Sequence, residues 1–279
     1  MKAILISLII PTKNAGEHLK LFFKSLTLQT YKNFEVIIND DLSTSDDTPK
    51  VIKDYSKKLE INYIKKNKMM AQGRREGAKV AKGDDLYHLD ADMSLHPKVL
   101  GECVEKMKKG YDALIISEVS YGEGFWAKVK AFERSLYIGD DLMESARFFS
   151  KKAYWDVGGH DKTMVASEDK DIHLKVKEAG YKIGRIKSPV YHNEGKLSLL
   201  KTMKKKYFYG KTVGVFISKH RDHAFKQANT LFRPAYFRNV NKFVKYPILG
   251  MGLIIMKSVE LMAVVFGLAM ARLKGILGL

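Results

Sequence analysis

The predicted fold is decided by the stretch Asp85-Leu86-Tyr87-His88-Leu89-Asp90-Ala91-Asp92-Met93-Ser94. Its apolar part, residues 86–89, is typical of a buried strand, and two carboxylates separated by one residue follow it. Because side chains two residues apart in a strand point to the same face, Asp90 and Asp92 can converge on one point. Carboxylate oxygens at a strand end suit Mg²⁺ or Mn²⁺, which can also hold a diphosphate. Alone, the same pattern would fit an ordinary turn, in which Asp is common.

Strand-like and helix-like segments alternate on both sides of this stretch. Their spacing predicts further strands at 3–10, 34–38, 61–64, 113–119, 146–149, 182–186 and 190–192. It predicts helices at 19–28, 51–59, 70–81, 97–109, 125–137 and 166–179. Such alternation indicates an α/β fold with right-handed βαβ units and a mostly parallel sheet flanked by helices. In sheets of this kind, ligands bind beyond the carboxyl ends of the strands.

Polar loops fall at those carboxyl ends. Pro11-Thr12-Lys13-Asn14 follows the first predicted strand, and Asn39-Asp40-Asp41-Leu42-Ser43-Thr44 follows the second. Asp90 and Asp92 follow the strand at 86–89. We therefore expect the three loops to form one site rather than three unrelated turns.

The charge of the chain indicates an anionic partner. The 279 residues carry a formal net charge of +18, and from Lys196 onward basic residues heavily outnumber acidic ones. Nucleotides, nucleic acids and anionic membranes all attract such a chain. Segregation of the charge is more typical of a membrane-docked enzyme than of a nucleic-acid binder. Cys103 is the only cysteine, so no intrachain disulfide can form, and a reducing, cytoplasmic compartment fits.

The C-terminal part is first basic and then apolar. A lysine-rich helix is predicted from Ser198, and apolar blocks follow at 248–256 and 261–270. Lys257 and Glu260 lie between the blocks, so neither block reaches the ~20 residues of a membrane-spanning helix. The whole stretch could span as one helix if these two residues pair, or it could fold back as a hairpin packed on the domain. We favour an interfacial or re-entrant element at an anionic membrane.

Several short motifs occur in a fixed order along the chain. They are Leu8-Ile9-Ile10-Pro11-Thr12-Lys13-Asn14, Asn39-Asp40-Asp41-Leu42-Ser43-Thr44, Gly73-Arg74-Arg75-Glu76-Gly77, Ala81-Lys82-Gly83, Leu89-Asp90-Ala91-Asp92, Gly158-Gly159-His160-Asp161, Glu168-Asp169 and His192. In this order they resemble the motifs of inverting GT-A glycosyltransferases of family 2, and the likeness covers roughly residues 4–215. The resemblance implies a GT-A (Rossmann-like) domain at 1–215, followed by a helical, membrane-associated extension at 216–279.

The resemblance also implies a reaction and roles for individual residues. The donor would be a nucleotide sugar, preferably a UDP-sugar, and the acceptor a hydroxyl group of a glycan or a lipid-linked saccharide. Nucleotide binding would involve Pro11, Thr12, Asn14, Asp40, Asp41, Arg74 and Asp90. A Mn²⁺ or Mg²⁺ ion, acting as a Lewis acid on the leaving diphosphate, would be held by Asp92, Asp90 and His192. Asp169 would be the general base, with Glu168 orienting the acceptor or holding the loop.

The sequence departs from the family pattern at three positions. Leu42 stands where Gly is usual, so we expect this loop to keep a negative φ there. Arg75 stands where Asn is usual, and His160 stands where Phe is usual. We expect the last two departures to tune the choice of donor or acceptor.

Two other functions fit parts of the sequence. A sugar nucleotidyltransferase also combines an α/β sheet with acidic metal ligands, but no Gly-rich phosphate loop follows the first strand. A non-enzymatic protein that binds nucleic acid or anionic lipid would explain the charge. It would not explain the ordered acidic motifs. The preferred hypothesis is therefore an enzyme at the inner face of the cell membrane, with no nucleic-acid partner.

Overall fold

The structure is a computed structural model that describes residues 3–67, 69–228 and 232–277. Within these residues the chain forms ten strands and 13 helices. The strands are β1 Ile6–Thr12, β2 Phe34–Asp41, β3 Ile61–Asn67, β4 Asp85–His88, β5 Met93–Leu95, β6 Ala113–Ile115, β7 Glu118–Glu123, β8 Ala146–Ser150, β9 Ile183–Arg185 and β10 Val190–Lys196. The helices are α1 Gly16–Thr27, α2 Thr48–Tyr55, α3 Met70–Val80, α4 Val99–Lys108, α5 Gly124–Tyr137, α6 Lys151–Asp156, α7 Glu168–Glu178, α8 Leu199–Thr212, α9 Gly214–Lys219, α10 Arg221–Ala228, α11 Pro234–Arg238, α12 Val240–Lys245 and α13 Pro247–Leu277.

The chain divides into two compact units. Unit 1 consists of Met1–Glu118, Ser145–Thr163 and Glu168–His192. Unit 2 consists of Val119–Glu144, Met164–Ser167 and Asn193–Leu279. The predicted domain boundary at residue 215 falls inside unit 2, because α8 packs against α13 in that unit.

The main sheet of unit 1 has seven strands in the order β3-β2-β1-β4-β8-β6-β9. β1 pairs in parallel with β2 and with β4, whereas β8 is antiparallel to both β4 and β6. The predicted mostly parallel sheet is therefore confirmed. The single strand expected at 113–119 is instead divided into β6 and β7. Strand order reverses beside β1, which places the ligand-binding crevice of such a sheet beyond β1, β2 and β4.

β1 lies at the centre of unit 1, with every residue buried. Its side chains alternate between the two faces of the sheet, so Leu8 and Ile10 join one apolar cluster and Ile9 joins the other. Each such side chain contributes about 1.5–3 kcal/mol when fully buried. Gly77 of α3 lies directly over Ile9, since a Cβ at this position would be 2.5 Å from the Ile9 Cγ2. This close approach positions α3, and with it the preceding turn of the same helix.

In unit 2, the long helix α13 packs against α8 and α5. The backbones of α8 and α13 approach closely at Gly210, where an added Cβ would lie 2.3 Å from the Val264 carbonyl oxygen. The predicted apolar blocks thus belong to one continuous helix, and the hairpin alternative is wrong. No turn interrupts α13 between the two blocks. Lys257 and Glu260 instead pair on the buried face of this helix, with Nζ and Oε2 2.5 Å apart.

The charges buried in α13 form a network with α5 and α8. The Lys257 Nζ donates to Glu133 Oε1 at 2.7 Å, and Glu133 Oε2 accepts from Lys130 at 2.7 Å. The Lys206 Nζ lies 3.8 Å from Glu260 Oε2. Burial raises the pKa of Glu133, but Lys130 and Lys257 outweigh it and hold that pKa well below its usual value. This network fixes which face of α13 is turned toward its neighbours.

The opposite face of α13 is an exposed apolar stripe. It consists of Ile248, Met251, Ile254, Ile255, Met262, Val265 and Phe266, each at least half exposed. The segment Pro247–Leu273 is long and apolar enough to cross a membrane by length and composition, with a mean hydropathy of 2.0. Lys257 and Glu260, the charged residues in the middle of this segment, do not interrupt the stripe because both are buried.

Candidate active site

The loops after β1 and β2 are tied together through the Asp40 carboxylate. Asp40 is completely buried, and its Oδ1 accepts hydrogen bonds from the hydroxyls of Thr12 and Thr44, at 2.8 and 2.7 Å. Its Oδ2 accepts from the Tyr63 hydroxyl at 2.9 Å. Asp40 therefore organises the predicted nucleotide loops, and its oxygens are already engaged within the protein.

Asn14 and Asp41 complete this pair of loops. Asn14 has a φ of 47°, and its Oδ1 accepts from the backbone N–H of Ser45 at 2.8 Å, so it joins the loop that follows Pro11 to the second loop. Asp41 is less buried than Asp40. Hydrogen bonds from Ser43 hold the pKa of Asp41 below its usual value. Leu42 is not among the described residues with positive φ, as expected from its side chain.

Arg74 of α3 lies at the centre of a buried cluster of charges. Its Nη2 is 2.8 Å from Asp90 Oδ1 and 3.9 Å from Glu168 Oε1, and its Nε is 3.3 Å from Asp169 Oδ1. Only 1% of Arg74 is exposed, so it is not a solvated side chain on the surface of a basic helix. Asp90 and the pair Glu168-Asp169, which are 78 and 79 residues apart along the chain, therefore meet at one guanidinium group.

Arg147 of β8 forms the second centre of the cluster. Its Nη1 donates to Asp90 Oδ2 at 2.8 Å, and its Nη2 lies 3.0 Å from Asp169 Oδ2 and 3.2 Å from Glu118 Oε1. Burial lowers the pKa of Arg147, but Asp169, Glu118 and Asp90 outweigh it and raise that pKa. Arg147 is thus a permanent cation shared among three carboxylates.

The adjacent carboxylates Glu168 and Asp169 are pushed in opposite directions. Burial raises the pKa of Asp169, but Arg147 and Arg74 outweigh it and hold that pKa well below its usual value. Burial and the neighbouring charge of Asp169 raise the pKa of Glu168 to about 7. At the start of α7, one carboxylate is therefore always ionised, and its neighbour gains or loses a proton near neutral pH.

Asp92 and His192 form a second pair beside this cluster. His192 Nε2 is 3.3 Å from Asp92 Oδ2, and His192 Nδ1 is 3.4 Å from Glu118 Oε2. Burial lowers the pKa of His192, but the two carboxylates outweigh it and raise that pKa to about 10. The other oxygen of Asp92, Oδ1, is buried without a hydrogen-bond partner among the described residues.

The predicted metal triad is formed only in part. In the described part of the chain, no three carboxylate, imidazole or thiol groups are arranged as a ready metal site. The reason is Asp90, whose two oxygens bind Arg74 and Arg147 rather than turning toward Asp92. Asp92 and His192 do fit a divalent cation, because they approach each other and Asp92 has a free buried oxygen. Five carboxylates share the site with two arginines and His192, an excess of negative charge that a divalent cation would neutralise.

His160 lies beside the same cluster and is completely buried. Its Nε2 is 3.5 Å from Asp169 Oδ1, and its Nδ1 is 3.1 Å from the Tyr154 hydroxyl. Burial lowers the pKa of His160, so the imidazole is neutral at physiological pH.

Sequence reasoning missed Arg147 and Glu118. A signal for Arg147 was present, because a single charged residue in an apolar strand, as in Ala146-Arg147-Phe148-Phe149, needs a buried partner. Glu118 follows the residues of β6, and nothing in its neighbourhood along the chain distinguishes it from a surface carboxylate.

Comparisons with known proteins identify the family of the chain. The model of the family described as glycosyl transferase family 2 matches residues 7–161, and that of glycosyl transferase family group 2 matches residues 86–273. Poly(ribitol-phosphate) beta-N-acetylglucosaminyltransferase TarP of Staphylococcus aureus is 31% identical over 150 residues, which cover 52% of this chain and 46% of TarP. The chain thus spans about half the length of this curated relative.

Two solved structures share the fold. The Pyrobaculum calidifontis mannosyltransferase PcManGT, in complex with GDP-Man and Mn²⁺, has a TM-score of 0.68 and 14% identity, covering 96% of this chain and 88% of that one. S. aureus TarS 1–349, in complex with UDP, has a TM-score of 0.54 and 15% identity, covering 99% and 92% of the two chains. Both support a GT-A-like α/β fold.

Proposed function

The chain belongs to glycosyl transferase family 2, and on this premise we propose that it is an inverting glycosyltransferase that uses a nucleotide-sugar donor. The observation that carries the proposal is the buried cluster in which Arg74 and Arg147 bridge Asp90 to Asp169 beyond the strand ends. Family membership removes the support for a nucleotidyltransferase or a non-enzymatic basic protein. The proposed donor is a UDP-sugar, since the neighbouring TarS structure binds UDP.

In the proposed mechanism, Asp169 is the general base. Inversion requires the acceptor hydroxyl to attack the anomeric carbon from the side opposite the diphosphate, while a carboxylate takes the hydroxyl proton. The bond from the sugar to the diphosphate breaks as the new glycosidic bond forms. The guanidinium groups of Arg74 and Arg147 can bind the donor diphosphate as well as they bind the Asp169 carboxylate. When they turn toward the diphosphate, Asp169 loses cationic partners and becomes a stronger base.

Asp92 and His192 are the residues that would hold Mn²⁺ or Mg²⁺ in the proposed site. The ion would supply Lewis-acid stabilisation of the leaving diphosphate. The Mn²⁺ in the PcManGT complex supports a divalent metal in this fold. Asp90 is assigned to the arginines instead, where it orients both guanidinium groups toward the donor.

Replacing Asp92 with Ala is expected to weaken the binding of UDP in the presence of Mn²⁺ by roughly 100-fold, since a principal metal ligand is lost. Calorimetric titration with UDP and with GDP, each with Mn²⁺ and with EDTA, measures the effect. It also identifies which of the two nucleotides the protein prefers. Asp54→Ala, which removes an exposed carboxylate of α2, is the matched control.

The pH dependence of Mn²⁺ binding tests His192 in the same titrations. Because apo His192 is protonated below pH about 10, a bound ion must displace that proton. The affinity for Mn²⁺ should therefore rise as the pH increases, by up to about tenfold per pH unit, and this slope should vanish in His192→Gln. UDP binding that is unchanged by EDTA and by Asp92→Ala would contradict the metal assignment.

We place the enzyme at an anionic membrane surface, with the apolar stripe of α13 lying in the plane of the interface. The 27-residue apolar segment Pro247–Leu273 extends about 40 Å. Lys245 and Arg272 flank the stripe at its two ends, where anionic headgroups would meet them. The exposed Lys201, Lys204 and Lys205 of the neighbouring α8 oppose insertion across the hydrocarbon core. The acceptor proposed for this location is a glycan or lipid-linked saccharide at the cytoplasmic face.

The double substitution Met251→Glu and Ile255→Glu is expected to reduce binding to vesicles containing phosphatidylglycerol by at least about 100-fold. Each side chain contributes on the order of 1.5–3 kcal/mol when its apolar surface leaves water. Vesicle co-sedimentation measures the bound fraction. The control is Leu21→Glu with Leu28→Glu, which adds the same charge to half-exposed leucines of unit 1. Equal sedimentation of the stripe variant and the wild type would sink the membrane assignment.

A further inference from the structure

We propose that His160 is a positioning residue for Asp169, and that it holds this carboxylate through the N–H at Nε2 in a tautomer set by the Tyr154 hydroxyl. The inference rests on the proposed role of Asp169 as the general base. His160 stands where Phe is usual in the family pattern, so the device belongs to this chain and its like rather than to the family at large.

The tautomer follows from the hydrogen bonds around Tyr154. The Tyr154 oxygen accepts a hydrogen bond from the backbone N–H of His160 at 3.2 Å, because an N–H can only donate. The same oxygen lies 3.1 Å from His160 Nδ1. Tyr154 is completely buried, and its single hydroxyl hydrogen needs an acceptor. Donation to Nδ1 satisfies it, and the proton of the neutral imidazole is then on Nε2.

The position of Nε2 agrees with this assignment. It is buried, and it has no hydrogen bond of standard geometry to another group in the described residues. Its neighbour is Asp169 Oδ1, at 3.5 Å, and a lone pair on Nε2 would face that negative charge unfavourably. An N–H in the same place is attracted to it. The distance is longer than a normal hydrogen bond, and catalytic hydrogen bonds commonly shorten when substrate is bound.

The surroundings keep the ring neutral and in place. His88 meets the ring edge-on, with centroids 4.6 Å apart, and the Tyr154 ring lies 5.6 Å away. Arg74 and Lys175 are the cations whose charge opposes protonation, and Asp169 is the anion that favours it. Burial and these cations lower the pKa of His160, so the imidazole does not titrate during the reaction. Only the acceptor proton moves, from its hydroxyl oxygen to Asp169.

The turn before His160 is held by Arg75, which is another departure from the family pattern. Its Nη1 donates to the carbonyl oxygens of Gly158 and of His160, the latter at 3.1 Å. Its guanidinium lies 5.4 Å from the centroid of the Trp155 ring. Gly159 has a φ of 65°, and an added Cβ would lie 2.8 Å from the Tyr154 ring. Arg75 and His160 therefore belong to one arrangement that aims Nε2 at Asp169.

This arrangement gives Asp169 a partner that can remain when the arginines move. The proposed mechanism draws Arg74 and Arg147 toward the donor diphosphate, which would leave the carboxylate free to rotate. A neutral N–H donor holds its orientation without lowering its basicity as strongly as a full positive charge does. His160 thus supplies orientation at the step in which Asp169 must accept a proton.

The first test reads the tautomer in the free protein by ¹H–¹⁵N correlation spectroscopy of ¹⁵N-histidine-labelled protein. The signal absent from His160→Phe assigns His160 among the histidines. We expect a protonated Nε2 and an unprotonated Nδ1 in the wild type, and a mixture of tautomers in Tyr154→Phe. A protonated Nδ1 or an imidazolium in the wild type would overturn the proposal. This result does not depend on whether the donor is a UDP-sugar.

The second test separates positioning from packing by measuring turnover of the UDP-sugar that the wild type uses fastest. His160→Phe, which restores the usual family residue, should lower kcat by about 10- to 100-fold with the affinity for UDP unchanged. His160→Gln, which offers an amide N–H at similar reach, should recover part of that loss. His96→Phe, which exchanges a half-buried imidazole outside the charged cluster, should stay within about threefold of wild type.

An unchanged kcat in His160→Phe, or an equal loss in His96→Phe, would overturn the positioning role. Full activity of Asp169→Asn, in contrast, would remove the general-base assignment while leaving the tautomer of His160 as measured. Failure of the inference and failure of the proposed function therefore give different results.

Discussion

Replacing Asp169 with Asn is expected to lower kcat by about 10²- to 10⁴-fold, the range that general-base catalysis contributes. The amide keeps the size of the side chain and can still accept from Arg74 or Arg147, but it cannot take a proton at neutral pH. Binding of UDP should change by less than roughly threefold, since the loss falls on the transition state rather than on donor binding. Release of nucleoside diphosphate, measured with saturating donor, gives kcat, and calorimetry gives the affinity.

The decisive comparison is with Glu168→Gln, because Glu168 is the rival base. Its pKa of about 7 is closer to physiological pH than that of Asp169, and general bases work best near the operating pH. We expect Glu168→Gln to retain at least about a tenth of wild-type kcat, in keeping with an orienting role. If Glu168→Gln were inactive while Asp169→Asn turned over normally, the roles would be reversed.

The pH profile provides a second criterion for the same choice. The pKa of free Asp169 lies well below its usual value, so this group is ionised across the neutral range and gives kcat/KM no acid limb there. If Glu168 were the base, kcat/KM would fall about tenfold per pH unit below pH about 7. The sign follows from the base being active only when deprotonated.

Replacing Lys257 with Met is expected to lower the free energy of unfolding by about 3–5 kcal/mol, as is typical when one partner of a buried ion pair is removed. Glu133 and Glu260 would lose their shared donor, while the apolar stripe on the other face of α13 would keep its composition. Urea denaturation, followed by circular dichroism, measures the change. Lys245→Met, at an exposed position, is the matched control.

A second variant distinguishes lost pairing from altered packing. Adding Glu260→Gln to Lys257→Met removes one of the stranded charges and should recover part of the stability. A Lys257→Met protein as stable as the wild type would mean that α13 does not depend on this network. Removing residues 247–279 altogether would take away Lys257, one of the partners of Glu133, as well as the apolar stripe. Truncation therefore tests stability and membrane release together, and the stripe substitutions separate them.

The sequence was sufficient for the features that depend on local pattern. The alternation of strands and helices predicted the parallel pairing of β1 with β2 and β4, and motif order predicted the family. The fate of Asp90 was not predictable in this way. The spacing to Asp92 predicted that Asp90 is a metal ligand. In the structure, two guanidinium groups bind its oxygens instead. One of them, Arg147, comes from a strand 57 residues further along the chain.

The same physical reason explains the errors in the C-terminal part. Lys257 and Glu260 read as a break between two apolar blocks when helix neighbours are unknown. In the structure both are buried, because α5, far earlier in the chain, supplies Glu133 as a partner for Lys257 and Lys130 as a partner for Glu260. Long-range ion pairs decide both places, and periodicity along the sequence carries no information about them.

The antiparallel strand β8, between β4 and β6, also fixes when the site can form during synthesis. When only β1 to β4 and the few residues after β4 have left the ribosome, the nascent chain contains the predicted nucleotide loops and Asp90. It does not yet contain Arg147 or Asp169. Until β8 and α7 emerge, Arg74 has one of its three carboxylate partners. The charged cluster is therefore assembled late in translation, and a chain that stalls before β8 carries the loops proposed to bind the nucleotide without the residues proposed to transfer the sugar.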